Sequence, residues 1–163
     1  MSSWFFIICQ LAIIFCALVG GVFLTFSDFI MRSLDKADPA SGIEVMQIIN
    51  REVFRYVFIP SFFVLAGFSL FAIPYAAITL SGTTALLVII AGVIYLAGVF
   101  LVTIVFNVPM NNKLATLEHS SPQAEVYWQT TYLPDWTFWN TMRAISCLLA
   151  AICFMVATIG HGF

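Results

Sequence analysis

Charge is what this sequence has least of. Of 163 residues, six are Lys or Arg and eight are Asp or Glu, 9% in all, against roughly 25% in an ordinary soluble domain. Six basic residues that form no stripe give nucleic-acid binding no support. Histidine is nearly absent: His119 falls in a loop and His161 near the far terminus, so two histidines cannot hold a haem in mid-membrane. The four cysteines (Cys9, Cys16, Cys147 and Cys153) form no Cys-x-x-Cys pair. That argues against thiol–quinone redox chemistry and leaves them as small hydrophobes. No cluster of His, Cys and carboxylates has metal-ligand spacing, and no phosphate-loop, dinucleotide or nucleophile-elbow pattern occurs. Neither a metal nor a cofactor is expected.

Apolar residues fill the space that charge leaves. They make up 62% of the chain, with a mean hydropathy of +1.03. A soluble domain of this length has too little interior to hide that much apolar surface. A soluble enzyme, a disordered chain and a coiled coil are therefore excluded. Residues 4–27, 56–112 and 144–163 contain no Asp, Glu, Lys or Arg. A membrane-crossing helix needs about 20 apolar residues, and the middle stretch is long enough for two. Runs such as Ala85-Leu86-Leu87-Val88-Ile89-Ile90 do not alternate, as a membrane β-barrel would require. The expected fold is an all-α integral membrane four-helix bundle, one domain over 1–163, with spans at about 4–26, 56–79, 85–106 and 136–159. Ser81-Gly82-Thr83-Thr84 makes the tight turn of a hairpin between spans two and three. Met1-Ser2-Ser3-Trp4 has no basic n-region and no small-x-small cleavage site comes after it, so the first stretch reads as a retained span.

Basic residues orient the bundle. Arg32, Lys36, Arg51 and Arg55 fall in the first loop, Lys113 in the third and Arg143 at its edge. The positive-inside rule puts both large loops in the cytoplasm and both termini outside. Ser41-Gly42-Ile43-Glu44 fits a capping box. It predicts a cytoplasmic amphipathic helix through Val53, before the second span. Ile43, Met46, Val53, Phe54 and Val57 share a face with Gln47 and Asn50, and Glu44, Arg51 and Arg55 lie a quarter-turn away. This helix is expected against the bundle mouth, with Pro60 kinking the chain as it enters span two. Ser121-Pro122 reads as an N-cap and first helical residue, opening a short helix that bears Tyr127, Trp128 and Thr131.

The polar residues of the spans need an explanation. Trp136, Trp139, Asn140, Arg143, Cys147 and Ala150 fall within about a third of the helical wheel. One reading turns this stripe inward as a site; the other has Arg143 snorkelling to the surface within an interfacial tryptophan belt. Asn140 favours the interior. On span one, Gln10, Ile14, Ala17, Gly21, Leu24, Thr25 and Asp28 share a face, and Ala17 and Gly21 would let a helix approach closely. Asp28 then faces Arg143 across the bundle mouth, or else is solvated at a helix end. Span three ends in Asn107-Val108-Pro109-Met110-Asn111-Asn112. Pro109 is expected to end the helix there, with Asn111 and Asn112 satisfying freed carbonyls. Asn107 stacks with Thr103, Leu96 and Gly92 and points inward.

These segments resemble the small four-helix membrane family named for anthrone oxygenases, otherwise a bacterial domain of unknown function. The resemblance rests on Gly21-Val22-Phe23 through Met31-Arg32-Ser33-Leu34, on Gly42 through Asn50 with Met46-Gln47-x-x-Asn50, on Asn107 through Asn112, and on Trp136-x-x-Trp139-Asn140-x-x-Arg143. It implies four spans in a bacterial inner (plasma) membrane, and an oxygenase that turns an anthrone into an anthraquinone with O2 and without metal or flavin. On that reading Arg143 stabilises the developing anion, Trp136 and Trp139 stack on a planar substrate, and Asn140, Asn107 and Asn50 orient its oxygens. Asp28 is the first candidate for the base, then Glu52 or His119. Two other functions fit the same residues. One is non-catalytic binding of a lipid, quinone or other hydrophobic small molecule in the bundle. The other is an accessory subunit of a larger membrane complex. The lipid bilayer is the expected partner, and a homo-oligomer or larger complex is open.

Overall fold

The computed structural model describes residues 1–53 and 56–159. Phe54 and Arg55 of the expected amphipathic helix, and His161, lie outside the described residues. Five helices follow in chain order: α1 (Ser3–Lys36), α2 (Pro39–Glu52), α3 (Phe58–Thr79), α4 (Gly82–Ala115) and α5 (Pro122–Ile159). No strand occurs among the described residues. All but α2 are long and apolar enough to cross a membrane. The protein is an integral membrane helix bundle.

The four long helices form a closed ring. α5 packs between α1 and α4, and α3 sits opposite it against α4 and α1. The hairpin between α3 and α4 turns on Gly82 at φ +60, a left-handed conformation that glycine adopts without penalty. At 1.5 Å per residue the 34 residues of α1 and of α4 reach about 50 Å, well beyond the roughly 30 Å hydrocarbon core. The excess of α1, α4 and α5 lies at one end of the bundle. There it holds α2 in a second core built on Met31, Ile43, Met46, Leu114, Trp128 and Tyr132. Gln47 of α2 donates to the Leu114 and Leu117 carbonyls at 2.8 and 2.9 Å, so α2 holds the last turn of α4 and the residues just after it.

Several sequence-based expectations are corrected at this level. The N-cap of α2 is Asp38, whose carboxylate accepts from the Ser41 backbone N–H at 3.3 Å. The helix therefore starts three residues before the expected box, with Pro39 in the first turn, where its missing N–H leaves nothing unpaired. Pro60 sits in the first turn of α3 for the same reason, and the interior proline is Pro74. The Ser121 cap is as expected, accepting from the Ala124 N–H at 3.2 Å.

The face of α1 is also different. Phe5, Cys9, Ala12, Cys16, Val19 and Phe23 are buried, whereas Ile14, Ala17, Gly21 and Leu24 are exposed. The close approach is made by Gly20. A Cβ there would lie 2.8 Å from Cys147 Cβ, while one on Gly21 would meet nothing.

Pro109 does not end a helix. α4 runs on to Ala115, and the segments Leu96–Leu101 and Thr103–Asn107 widen into π geometry just before the proline. A proline ring clashes with the carbonyl four residues back and has no N–H. The looser i→i+5 turn relieves both problems. α5 does the same around Pro134, over Trp128–Trp136, and α1 widens over Phe26–Ile30.

Candidate functional site

The widened turns have a geometric effect on side chains. In a regular α-helix residues four apart drift by about 40° per step. An i→i+5 turn drifts them the other way, so α and π turns in succession keep them near one line. On α4, Tyr95, Val99 and Asn107 are buried, with Thr103 and Asn111 half-buried on the same side. On α5, Trp128, Tyr132, Trp136 and Asn140 are all buried. The three rings form one stack, with centroids 5.3 and 5.8 Å apart and planes within 15°. Two columns of residues four apart thus face each other at the loop end of the bundle.

Arg143 lies one turn beyond Asn140 and is only 5% exposed. Its guanidinium donates through Nη2 to Asn140 Oδ1 at 2.8 Å and through Nη1 to Thr103 Oγ1 at 3.2 Å. It lies over the Phe23 ring, 4.2 Å from the centroid, and 5.5 Å from that of Trp136. Nε has no partner. No carboxylate pairs with Arg143 among the described residues. A buried cation normally has a counter-charge; here it has neutral amide, hydroxyl and aromatic faces.

Asn140 is the hub of this arrangement. With its oxygen committed to Arg143, its Nδ2 donates to the Phe23 carbonyl at 2.7 Å and to Ser27 Oγ at 2.6 Å. These bonds tie α5 to the start of the π turn in α1. Asn107 is 1% exposed, donates to the Trp136 carbonyl at 3.2 Å, and leaves its Oδ1 unpartnered. Asn111 Oδ1 accepts from both the Tyr132 hydroxyl (2.7 Å) and the Trp136 indole (2.8 Å). Asn50 of α2 donates to the Tyr132 hydroxyl at 3.2 Å.

These groups border a cavity of about 170 Å³. Its polar end is formed by Asn50, Thr103, Asn111, Asn140 and Arg143. Its apolar walls run outward from Phe23 and Trp136 past Phe62 to Phe63 and Ile104, which are exposed on the outside of the bundle. Arg143 is the one ionisable side chain in the lining among the described residues.

The sequence-predicted residues divide accordingly. Trp136, Asn140, Asn50 and Arg143 come together around the cavity, and Asn107 sits beside it on Trp136. Trp139 is turned away, stacked on Phe106 at 3.7 Å and 6°. Asp28 does not face Arg143. It makes an exposed ion pair with Arg32 at 3.1 Å, one turn along its own helix. Glu52 is exposed near the end of α2, and His119 pairs with its neighbour Glu118 at 3.0 Å in the loop before α5. Among the described residues no three of His, Cys, Asp and Glu gather as metal ligands. Residues missed in the sequence are Tyr132, Thr103 and Phe23 as contacts, and Asn111 as more than a turn residue. The available signal was the four-residue spacing on α4 and α5.

A family model described as anthrone oxygenase matches residues 52–153, more than half of the chain. The chain belongs to the anthrone oxygenase family. No curated protein and no solved structure matches it. The region shared with the anthrone oxygenases covers α3, α4 and most of α5. It therefore contains Thr103, Asn107, Asn111, Tyr132, Trp136, Asn140 and Arg143. Phe23 and Ser27 of α1, and Asn50 of α2, come from outside the matched region.

Proposed function

We propose that this protein is a membrane oxygenase acting on a planar aromatic substrate of the anthrone type, with no cofactor, and that the cavity beside Arg143 is its site. The observation that carries the reading is the buried guanidinium with a free Nε and no carboxylate partner. A cation in that state favours an anionic guest, and an apolar, water-poor wall strengthens the attraction. The anthrone methylene is acidic because its conjugate base is an aromatic enolate. Arg143 would hold that oxyanion, Trp136 and Phe23 would border the ring, and Asn140 would keep the guanidinium in place.

The net reaction is anthrone plus O2 giving anthraquinone plus water. The methylene carbon loses two hydrogens and four electrons. One oxygen atom becomes the new carbonyl and the other leaves as water. The first proton is lost as the enolate forms. Asp28, Glu52 and His119 do not border the cavity, so the residues that do border it stabilise the anion and the proton passes to solvent.

A volume of about 170 Å³ is below the roughly 300–1,000 Å³ of common ligand pockets. A three-ring substrate therefore keeps its oxyanion edge at Arg143 and extends its far ring between Phe63 and Ile104. The membrane is taken as a bacterial inner membrane. Arg32, Lys36, Arg51 and Lys113 belong to the site end of the bundle, so the positive-inside rule turns that end to the cytoplasm and both termini outside.

Oxygen uptake by purified protein with a panel of anthrones and hydroquinones tests the reading. With an anthrone, uptake should match quinone formed one to one and disappear in Arg143→Ala. The same guanidinium also supports binding of a quinone without turnover. A ligand that binds, stays unchanged in air and is lost in Arg143→Ala would establish that second reading instead.

A further inference from the structure

The cavity opens where α3 and α4 part. The two helices leave the Gly82 turn as a pair and stay joined as far as Phe62. There the Tyr95 hydroxyl donates to the Phe62 carbonyl at 2.9 Å. The Phe100 ring stacks on that of Phe62 (5.4 Å, 25°) and meets Phe63 edge-on at 5.9 Å. Nearer the loop end no hydrogen bond or ring contact links α3 to α4 among the described residues. The lining residues that are exposed are Phe63 of α3 and Ile104 and Val108 of α4, which flank this gap.

The gap lies at hydrocarbon depth. The 22 residues of α3 rise about 33 Å, close to the roughly 30 Å of a bilayer core. Phe63 is the sixth residue of that helix, so it sits about 7.5 Å inside the core. Ile104 and Val108 belong to the charge-free stretch 56–112. On the loop side the cavity is bordered by Met46 and Ile49 of α2, and Met46 is buried in the second core. The open side therefore meets acyl chains, and the side toward water is covered by a helix.

We infer that ligands reach Arg143 sideways, from the loop-side leaflet of the bilayer, through the gap framed by Phe63, Ile104 and Val108. The inference rests on the cavity being the ligand site. A route through hydrocarbon selects on charge, because an ion would have to shed its water before meeting any partner. A guest therefore enters neutral and gains its charge only beside Arg143. A fixed anion is refused at the gap, although the guanidinium would attract it once inside.

The test follows binding to the full chain in proteoliposomes by stopped-flow quenching of tryptophan fluorescence. Anthraquinone is the neutral probe and anthraquinone-2-sulfonate the charged one. Quenching that persists in Arg143→Ala measures collisions in the lipid and is subtracted. The wild type should bind anthraquinone and not the sulfonate. Ile104→Phe combined with Val108→Phe narrows the gap at exposed positions and should keep its thermal midpoint. It should slow both association and release by about tenfold, whereas loss of a ligand contact would speed release alone. Ile145→Phe with Leu148→Phe, also exposed but on α5 beside α1, should bind at the wild-type rate. Unchanged entry or quicker release in the gap variant, equal slowing in the α5 variant, or sulfonate binding as fast as anthraquinone overturns the lateral route and leaves the cavity reading intact. Binding of neither probe overturns the cavity reading and this inference with it. If the gap variant does not fold, the two probes on the wild type decide: binding of the sulfonate overturns the route, and its exclusion beside bound anthraquinone supports it.

Discussion

The guanidinium of Arg143 donates to Oδ1 of Asn140 at 2.8 Å, and that neutral amide stands where a buried arginine would ordinarily have a carboxylate. The consequence is a positive charge that the fold holds without compensating. Such a charge is costly to bury, and the protein keeps it at a cavity wall.

Arg143→Met should therefore separate stability from activity. Replacing a buried, poorly compensated charge with an apolar side chain of similar length is often neutral or stabilising. The thermal midpoint in detergent should equal or exceed that of the wild type. Oxygen uptake with an anthrone substrate should fall by about 100-fold or more, as when an oxyanion-stabilising donor is lost. A variant that unfolds would show that the arginine is structural.

Asn140→Asp should disarm the site in a different way. It gives Arg143 the counter-charge it lacks, at the position that already accepts its Nη2 hydrogen bond. The donors to the Phe23 carbonyl and Ser27 are lost with the amide nitrogen. Titration with a hydroxyanthraquinone should show affinity reduced by about tenfold or more, the loss expected when a charge-assisted hydrogen bond is removed. Undiminished affinity would mean that the free charge on Arg143 plays no part in binding.

Gly20 and Gly21 should respond in opposite ways to alanine. At Gly20 the new methyl meets Cys147 Cβ at 2.8 Å, an overpacking that costs about 1–3 kcal/mol. At Gly21 it meets nothing, so Gly21→Ala should leave the thermal midpoint unchanged or slightly raised. A midpoint lowered only by Gly21→Ala would contradict the packing of α1 on α5.

Asp38→Ala should loosen α2 without opening the bundle. Loss of an N-cap costs about 1 kcal/mol. Hydrogen exchange should quicken at the Ser41 amide, which Asp38 holds, while amides of α5 keep their protection. Uniform loss of protection would show that α2 is integral to the bundle core.

The four spans were legible because lipid accepts only charge-free runs of sufficient length, and three such runs are plain in the sequence. The Ser121-Pro122 cap was legible because hydroxyl and proline chemistry act over three residues. The buried face of α1 was not. That helix is apolar nearly all round, so the wheel offers no polar contrast to say which side faces inward. The supposed pairing of Asp28 with Arg143 failed for a local reason. Arg32, four residues on, is a nearer partner on the same surface. Asp38 displaced Ser41 as the cap because Pro39 comes next and favours the first helical position. Trp136, Asn140 and Arg143 could be grouped from their spacing. Tyr132 and Asn111 were not, although each lies only about 40° around the wheel from Trp136 and Asn107, because the expected spans stop at 106 and begin at 136, whereas the helices run on to Ala115 and start at Pro122.

Those π turns make the site a matter of chain length as well as composition. Each i→i+5 turn carries one residue more than an α turn. Deleting a single residue inside one of these turns would let it tighten to an α turn that covers the same rotation, so Asn107 and Asn111 would keep their side of the helix. Tightening the same turn without a deletion would swing everything beyond by about 100° around the axis, carrying Asn107 and Asn111 off the cavity while the span itself still crossed the membrane. Exchanging one side chain removes one contact, whereas abolishing the π geometry at constant chain length dismantles the whole column at once.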